Sequence, residues 1–538
     1  TVKPNHGNTY FNYAIALKNL DRFTEAKQAV KKAINNGRAS AEAFQTLADC
    51  CLQLDDFKGA ATALNTQSQL QPDSDTIQFR LARVLYEGNQ LSHAKDLYKK
   101  LTRKLPSSEK AHFGLANTLL KQESYTEAAK LFQRVIEINP RSYEAYNNLA
   151  EALRGDGHNS AALNHYRQAA KLAPHSPDVL NNLGVALRHA KNHDLAIEYT
   201  ERAFQLRPDF TDAKCNAGYS HLSIGQFKKG WTLFENRFNK NKAEINTHYI
   251  KHDIPKWQGQ NLQGKSLFIW AEQGVGDHIM FGSCLPDVSK LGAKRLVVSC
   301  NSRLQILFAR SFNVDAIITD DLKGHYHHLN ESFDYQIAFG SLMQFLRPTL
   351  ASYANQVPYL KVHKPSHKKW SKRFAELPHT INVGISWKGG KKTMLKNRRS
   401  LPLAQWLPVL SQPVNFINLQ YGDTATELDE LYEQQNIRIH DWDDADPLKN
   451  LDDFAAQISA LDLVISVDNS TVHFSGALGV PTNVMLSFES DWRWRTYESN
   501  CYWYGDSMQI IRQQQDGEWN DVVEKTAASL QHFIEHNS

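Results

Sequence analysis

RSYEAYNNLAEALRGDGHNSAALNHYRQAAKLAP, residues 141–174, is one full period of a pattern that governs the first half of the chain. Ala150 and Ala162 occupy two helix positions where only a small side chain lets antiparallel helices approach closely, and Pro174 stops the second helix. The same marks return every 34 residues. Ala14, Ala48, Ala82, Ala116, Gly184 and Gly218 share the register of Ala150. Ala26, Ala60, Ala94, Ala128, Ala196 and Gly230 share that of Ala162, and Pro72, Pro106, Pro140 and Pro208 that of Pro174. Seven units in unbroken phase, from about Gly7 to about Lys242, predict an α solenoid whose helix pairs bury their faces against their neighbours.

This period is the signature of tetratricopeptide repeats (TPR). The first helix of each unit is expected to line the concave side, with outward positions free to touch a ligand. Asn12, Asn148, Asn182 and Asn216 share one register, two positions before the small residue; the last three run without interruption. Carboxamides donate and accept, so such a row suits an extended peptide gripped by its backbone; tolerated polar residues on a solvated face are the plain alternative. Thr46, Arg80 and Gly114 interrupt the row. The arrangement resembles the TPR superhelix of the O-GlcNAc transferases, whose asparagine ladder holds protein substrates. The seventh unit departs after Gly230: Trp231, Phe234 and Phe238 enrich its second helix in aromatics and no proline closes it, as expected of a capping repeat.

The chain has 538 residues, enough for three or four domain-sized cores, and its net charge of +4 implies no general polyanion or nucleic-acid binding. Six scattered cysteines lack metal-ligand spacing and fit a reducing compartment. No apolar run approaches the ~20 residues that span a bilayer, and no secretory h-region opens the chain. Thr1 stands where a methionine is expected and the repeat phase begins almost at once, so removed upstream sequence is expected and a targeting segment there stays open. A cytoplasmic location is the expectation.

From Lys265 the period changes. SLFIWA (266–271), RLVVSC (295–300), DAIIT (315–319) and DYQIAF (334–339) read as strands, with a helix from about His278 to Lys290 after the first. A second series follows: INVGISW (381–387), NFINLQ (415–420), IRIHDW (437–442), DLVISV (462–467) and PTNVML (481–486). Strands alternating with helices predict parallel sheets. The expected organisation is a TPR array over 1–242, a linker or cap over 243–264, a Rossmann-like acceptor-side domain over 265–360, a polar connector over 361–380, and a Rossmann-like nucleotide-sugar domain over 381–538. Two such α/β domains form a GT-B-type layout with a cleft between them. The closing segment Val522–Ile534 is expected to pack back on the first sheet. Neither a GxGxxG fingerprint nor a GxxxxGK[ST] loop is present, which weakens redox and phosphoryl-transfer readings.

Several stretches resemble the heptosyltransferase-like (family 9) glycosyltransferases, especially bacterial proteins that fuse such a module to TPR repeats. They are EQGVGDHIMF (272–281), VGISWKGG (383–390), RRSLPLAQW (398–406), NLQYGD (418–423), LDDFAAQISALDLVISVDNSTVHFSGALGVP (451–481) and SDWRW (490–494). The resemblance implies that Asp277, after the first strand, is the base that takes the acceptor proton; an ordinary helix cap is the alternative. His278 beside it is assigned to the acceptor side. Asp468, Asn469, Ser470, Thr471 and His473 form the strand-to-helix turn that, in the family, binds the donor's phosphates. That turn is equally what a capped helix looks like, and His473 is either a phosphate donor or a packing histidine.

Lys388 and Arg399 are the cations expected to meet the leaving diphosphate; Arg399 stands where the family has a lysine, three residues before Pro402. Trp387 and Gln420 are expected at the nucleoside, Trp492 and Trp494 in the core, and Lys391, Lys392 and Lys396 in a flap or a solvated loop. The family needs no metal, no DxD motif is placed at a strand end, the acidic stretch 443–446 reads as caps and solvated charge, and Gly324–His328 lacks cysteine or carboxylate partners at ligand spacing, so no metal or other cofactor is expected. The leading expectation is a soluble, inverting protein O-glycosyltransferase acting on Ser or Thr of a polypeptide, flagellin by analogy. A transferase acting on a lipid-linked glycan, and a scaffold with an inactive transferase fold, are the alternatives.

Overall fold

The computed structural model describes residues 6–239, 254–320, 333–353, 357–389, 398–497 and 500–537, and the chain divides into two compact units between Ala186 and Leu187. In the first unit five helix pairs follow one another, from Gly7–Asn19 with Phe23–Asn35 to Tyr143–Gly155 with Asn159–Leu172. Ala14, Ala48, Ala82, Ala116 and Ala150 have no exposed surface, nor do Ala26, Ala60, Ala94 and Ala128. The periodic small residues are therefore the contact points of the helix pairs, as the spacing predicts.

Each repeat also carries a mark that the small residues do not show. Asp21, Asp55, Asn89, Glu123, Gly157, Lys191 and Gly225, again 34 apart, all adopt a left-handed backbone. That conformation ends the first helix and lets the next residue's N–H return to a carbonyl five residues back, as Arg22 does to Leu17 and Gln90 to Leu85. Where the residue is not glycine, the strain of the left-handed region, of order 1 kcal/mol, is the cost of turning the chain tightly.

The helix Pro177–His189 spans the division, and the second unit continues with the repeat helices His193–Leu206, Thr211–Ser223 and Phe227–Phe234 and a 3₁₀ turn, Glu235–Asn239. A Cβ on Gly230 would lie 2.7 Å from Leu222, so the last repeat closes more tightly than alanine allows. Two sheets follow. The first has the order β3-β2-β1-β4, with β1 Ser266–Trp270, β2 Arg295–Asn301, β3 Ala316–Asp320 and β4 Tyr335–Ala338, all parallel. The second has the order β10-β11-β9-β8-β5-β6-β7. Its strands are β5 Asn382–Ser386, β6 Asn415–Asn418, β7 Ile439–His440, β8 Leu463–Val467, β9 Thr482–Leu486, β10 Asn500–Cys501 and β11 Gly505–Arg512. Only β10 runs antiparallel to its neighbour. In β5, β8 and β9 every residue is buried, as a parallel sheet covered on both faces requires.

The structure corrects four readings of the sequence. The closing helix, Asn520–Asn537, packs on the second sheet and not on the first: Val522, Val523 and Leu530 share a core with Val383, Ile385 and Ile465. The helix expected over 278–290 is broken into Val275–Gly282 and Leu285–Val288, with Pro286 entering the second piece. The polar connector contains a helix, Lys364–Ala375, that buries Trp370 and Phe374 against Trp442. IRIHDW contributes only two residues of strand, and the β10–β11 hairpin has no counterpart in the sequence reading. All six cysteines are free and buried; burial raises the Cys284 and Cys501 thiols to about 12, which makes them inert packing groups.

The small-residue positions give a direct test. Ala116→Leu places three extra carbons where no surface is exposed, and should destabilise the array by about 1–3 kcal/mol. Denaturant unfolding followed by far-UV circular dichroism measures this; a change under 0.5 kcal/mol would mean that the helices have room to separate.

Candidate functional site

The tip of the first sheet is set by a buried charge. β1 ends at Trp270, and two residues later Glu272, with no exposed surface, accepts hydrogen bonds from Arg237 Nε at 2.8 Å and from the Gly340 N–H at 2.9 Å. Gln273 then takes a left-handed backbone (φ +67°) and the helix Val275–Gly282 begins. Asp277, in its first turn, accepts the Gly274 N–H on Oδ2 at 3.1 Å. Asp277 thus caps its helix, and the same carboxylate does more: Oδ1 accepts from Arg493 Nε at 3.1 Å and from Arg493 Nη2.

Arg493 is the residue that sequence reasoning missed. Its stretch, SDWRW, draws attention through its tryptophans, and nothing in the local pattern distinguishes this arginine from a surface one. In the fold it lies half-buried over the Trp492 ring, 4.5 Å from the ring centre, and also donates to Asp491 at 2.6 Å. Burial alone would disfavour its charge, but the Asp277 and Asp491 carboxylates more than compensate and raise its pKa further. Asp491 in turn lies 3.7 Å from Arg399, which pairs with Asp468 at 3.0 Å. Asp277, Arg493, Asp491, Arg399 and Asp468 therefore form one alternating chain of charge from the first sheet to the second.

The turn after β8 is built as a capped helix. Asn469 accepts the Thr471 N–H at 2.9 Å and donates to Ser386 Oγ at 2.7 Å and to the Lys388 carbonyl at 3.0 Å, tying the ends of β8 and β5 together. Ser470 begins the helix Ser470–Leu478 half-buried, and Thr471 is buried beneath it. A Cβ on Gly389 would lie 2.7 Å from the Asp468 carbonyl, so glycine permits this close approach of the two strand ends.

His473, one turn further on, is buried, stacks on Trp494 with ring centres 5.6 Å apart, and shares a hydrogen bond of 2.8 Å between Nδ1 and the Tyr504 hydroxyl. Burial lowers its pKa to about 4, against the opposing pull of Asp468 and Asp277, so the ring is neutral at pH 7. It also meets the first sheet: a Cβ on Gly276 would lie 2.8 Å from His473 Cδ2. The packing reading of His473 is realised, at a place where its ring also meets the turn before Asp277. His278 is buried as well, its Nδ1 accepting the Asn301 N–H at 3.2 Å.

Trp387, Lys388 and Gln420 group separately. The Trp387 ring is fully buried in the core, its Nε1 donating to Glu427 at 2.8 Å, so the ring presents no face for stacking a base. Gln420 spends its Oε1 on Ser386 Oγ and on the backbone N–H groups of Trp387 and Lys388, at 2.8 to 3.0 Å. Lys388 pairs with Glu427. Each expected phosphate cation is therefore already matched by a carboxylate.

The asparagine row is an amide chain. Asn182 donates to Asn147 at 3.0 Å, Asn147 to Asn148 at 3.0 Å, and Asn148 to Asn117 at 2.9 Å. The register alone misses Asn117 and Asn147. The interruptions have physical reasons: Thr46 is buried and bonds the Glu42 carbonyl, Arg80 pairs with Asp49, and a Cβ at Gly114 would strike the Tyr98 ring. Asn12 is exposed, and Asn216 lies on the helix Thr211–Ser223 with its carbonyl accepting from Ser220.

Among the described residues, the side chains close enough to share a metal ion are His532, Glu535 and His536, exposed on the closing helix. Gly324–His328 and Lys391, Lys392 and Lys396 lie outside the described residues. No described helix is long and apolar enough to cross a membrane.

Residues 7–36, 79–143 and 147–209 match tetratricopeptide-repeat family models. The chain carries tetratricopeptide repeats. Protein FlbA of Caulobacter vibrioides is 33% identical over 326 residues, covering 58% of this chain and 54% of that protein. The chain spans about half the length of that relative, and the shared stretch is longer than the repeat region, so the likeness reaches into the α/β half. Solved structures that resemble it include MamA from Desulfovibrio magneticus (19% identity, 32% of this chain and 96% of that one, TM-score 0.29). Others are a tetratricopeptide repeat protein from Parabacteroides merdae (14%, 44% and 95%, TM-score 0.39) and YrrB, a TPR protein with an unusual peptide-binding site (22%, 35% and 96%, TM-score 0.28).

The neutral, buried His473 predicts a pH dependence. Its folded pKa of about 4 lies below the ordinary 6.5, so between those values the unfolded chain binds a proton that the folded one refuses. Stability should fall as pH drops from 6.5 towards 4. In His473→Gln this part of the slope, on the order of 3 kcal/mol at most, should vanish. Thermal unfolding across pH 4–7 tests it; an unchanged slope would show that His473 is solvated enough to protonate freely.

Proposed function

We propose that this chain is a glycosyltransferase that moves a sugar from a nucleotide-sugar donor to a Ser or Thr hydroxyl of a polypeptide held by the repeats. The observation that carries the reading is the meeting of two turns. Asp277, at the carboxyl end of a parallel strand, is joined through Arg493, Asp491 and Arg399 to Asp468, beside the start of the Ser470–Leu478 helix. Open α/β sheets bind ligands at such strand ends, and a helix start offers N–H groups to a diphosphate.

In the proposed reaction the acceptor oxygen attacks the anomeric carbon while the Asp277 carboxylate takes its proton, and the nucleoside diphosphate leaves with the electron pair of the broken C–O bond. Arg399 and the Ser470 helix start receive the charge. The paired state of the cations implies that phosphate oxygens replace carboxylates around them when the donor binds. By the resemblance to the family 9 enzymes the reaction is inverting and metal-independent, in a GT-B arrangement, and by analogy the acceptor is of the flagellin type. FlbA, matched over 54% of its own length, is compatible with this reading without fixing a substrate.

Asp277→Asn should abolish transfer, measured as sugar incorporated from a panel of nucleotide sugars, and leave nucleoside diphosphate binding within about fivefold by calorimetry. Full activity would remove Asp277 from the reaction.

The peptide grip makes a separate prediction. Asn148→Ala, Asn182→Ala and Asn216→Ala combined should slow transfer to a protein acceptor about tenfold or more, since each lost amide–backbone bond is worth about 0.5–1.5 kcal/mol. Hydrolysis of the donor by water should be nearly untouched. Loss of neither activity would return weight to a non-peptide acceptor such as a lipid-linked glycan.

A further inference from the structure

We propose that the seventh repeat is the frame that registers Asp277 against Arg493, and that Arg493 is a positioning residue for Asp277. The inference rests on the reading of Asp277 as the acceptor base. Two loops meet at the Asp277–Arg493 pair, and each is fastened to the end of the repeats, with the Phe234 ring touching both fastenings.

The Asp277 loop is fastened through Arg237, in the 3₁₀ turn that follows the last repeat helix. Arg237 is buried between the rings of Phe234 and Phe238, 4.1 and 4.0 Å from their centres, and its guanidinium bonds Glu272, Glu235 and Ser341. Glu272 lies only five residues before Asp277. The Arg493 loop runs from β9 to β10. Trp492 stacks on Tyr219 of the Thr211–Ser223 helix (ring centres 6.4 Å, 8° between planes) and stands edge-on to Trp231 at 5.4 Å. The Thr496 N–H donates to the Ser223 carbonyl at 3.0 Å, and the Thr496 hydroxyl shares a 2.5 Å hydrogen bond with His193 Nε2. The Tyr497 hydroxyl donates to the Lys191 carbonyl at 3.0 Å, and Trp503 Nε1 donates to the Arg493 carbonyl itself at 2.9 Å.

A capping repeat needs only to cover its own apolar face. Here it binds both sides of one ion pair through directional contacts, joined on the Arg493 side by Lys191 and His193 of the preceding repeat, which is more than solubility requires. The guanidinium holds Asp277 Oδ1 with two N–H groups and the Gly274 N–H holds Oδ2; the two anchors together orient the carboxylate and leave Oδ2, with a single backbone partner, the oxygen that meets an incoming hydroxyl. A lysine at this position supplies charge without the planar fork.

The test uses the full chain and two readouts. In hydrogen–deuterium exchange without ligand, Arg493→Gln and, separately, Tyr219→Ala should each speed exchange of the amides of 274–282 at least tenfold, with the amides of β8 unchanged as the control for folding. In kinetics with the donor and acceptor turned over by the wild type, both variants should lower kcat at least tenfold with KM for the donor within threefold. Arg493→Lys should recover part of the kcat loss. Unchanged exchange over 274–282 in Tyr219→Ala overturns the frame, and a loss confined to donor KM overturns the positioning role. If the wild type transfers no sugar while the exchange behaves as expected, the proposed function fails and the positioning role with it, whereas the coupling of the two loops stands.

Discussion

A guanidinium taken out of water must keep carboxylates around it, and two such groups organise the second unit. Desolvation of the cation is worth several kcal/mol, and removing one partner of a buried pair typically costs about 3–5 kcal/mol, so each arginine dictates where its acids lie. Arg237 gathers Glu235 and Glu272 at the end of the repeats; Arg493 gathers Asp277 and Asp491 where the two sheets' loops meet. Stability alone does not call for such pairs, since well-packed apolar residues in their place are often neutral or stabilising. What the ion pairs add is direction: the Arg237 fork meets both oxygens of Glu272, and Arg493 together with the Gly274 N–H holds both oxygens of Asp277.

The repeats show the complementary principle. Their geometry follows from side chains that are absent. Alanine or glycine at the helix crossing, and one left-handed residue at the turn, repeat every 34 positions with hardly any polar interaction involved. This leaves the outward helix positions free for other chemistry. In the middle of the array that chemistry is a run of amides bonded to one another, from Asn182 to Asn117. An amide chain of this kind holds its side chains in place, which would lower the entropic cost of the peptide binding proposed for it.

The proposed donor site follows the same logic. Arg399, Lys388 and Arg398 are paired with Asp468, Glu427 and Glu489. In an empty pocket unpaired cations would repel one another and draw the loops apart, whereas paired ones keep the strand ends packed. Exchange of a carboxylate for a phosphate then needs no new charge to be buried, only a change of partner. The neutral His473 beneath the turn adds no further positive charge to this balance.

The division between what was legible in the sequence and what was not is a division between local and distant causes. The seven repeats, their contact residues and the alternation of strands and helices are set by periodicity, and a period is visible along the chain. Asp277 and the Asp468–Thr471 turn are legible because their stretches resemble the family 9 enzymes; the local signature of a strand-to-helix turn alone reads equally as a helix cap. Arg493 is not legible, because its importance comes from Asp277, 216 residues away in the sequence. The fate of Trp387 was hidden for the same reason: a tryptophan at a strand end points to solvent or to core according to what packs on it, and Glu427 and the second sheet's core claim it. The closing helix illustrates the rule once more. Its apolar stripe announced that it must pack, but a stripe carries no address, and only the assembled sheets determined that β9 and β11 would receive it.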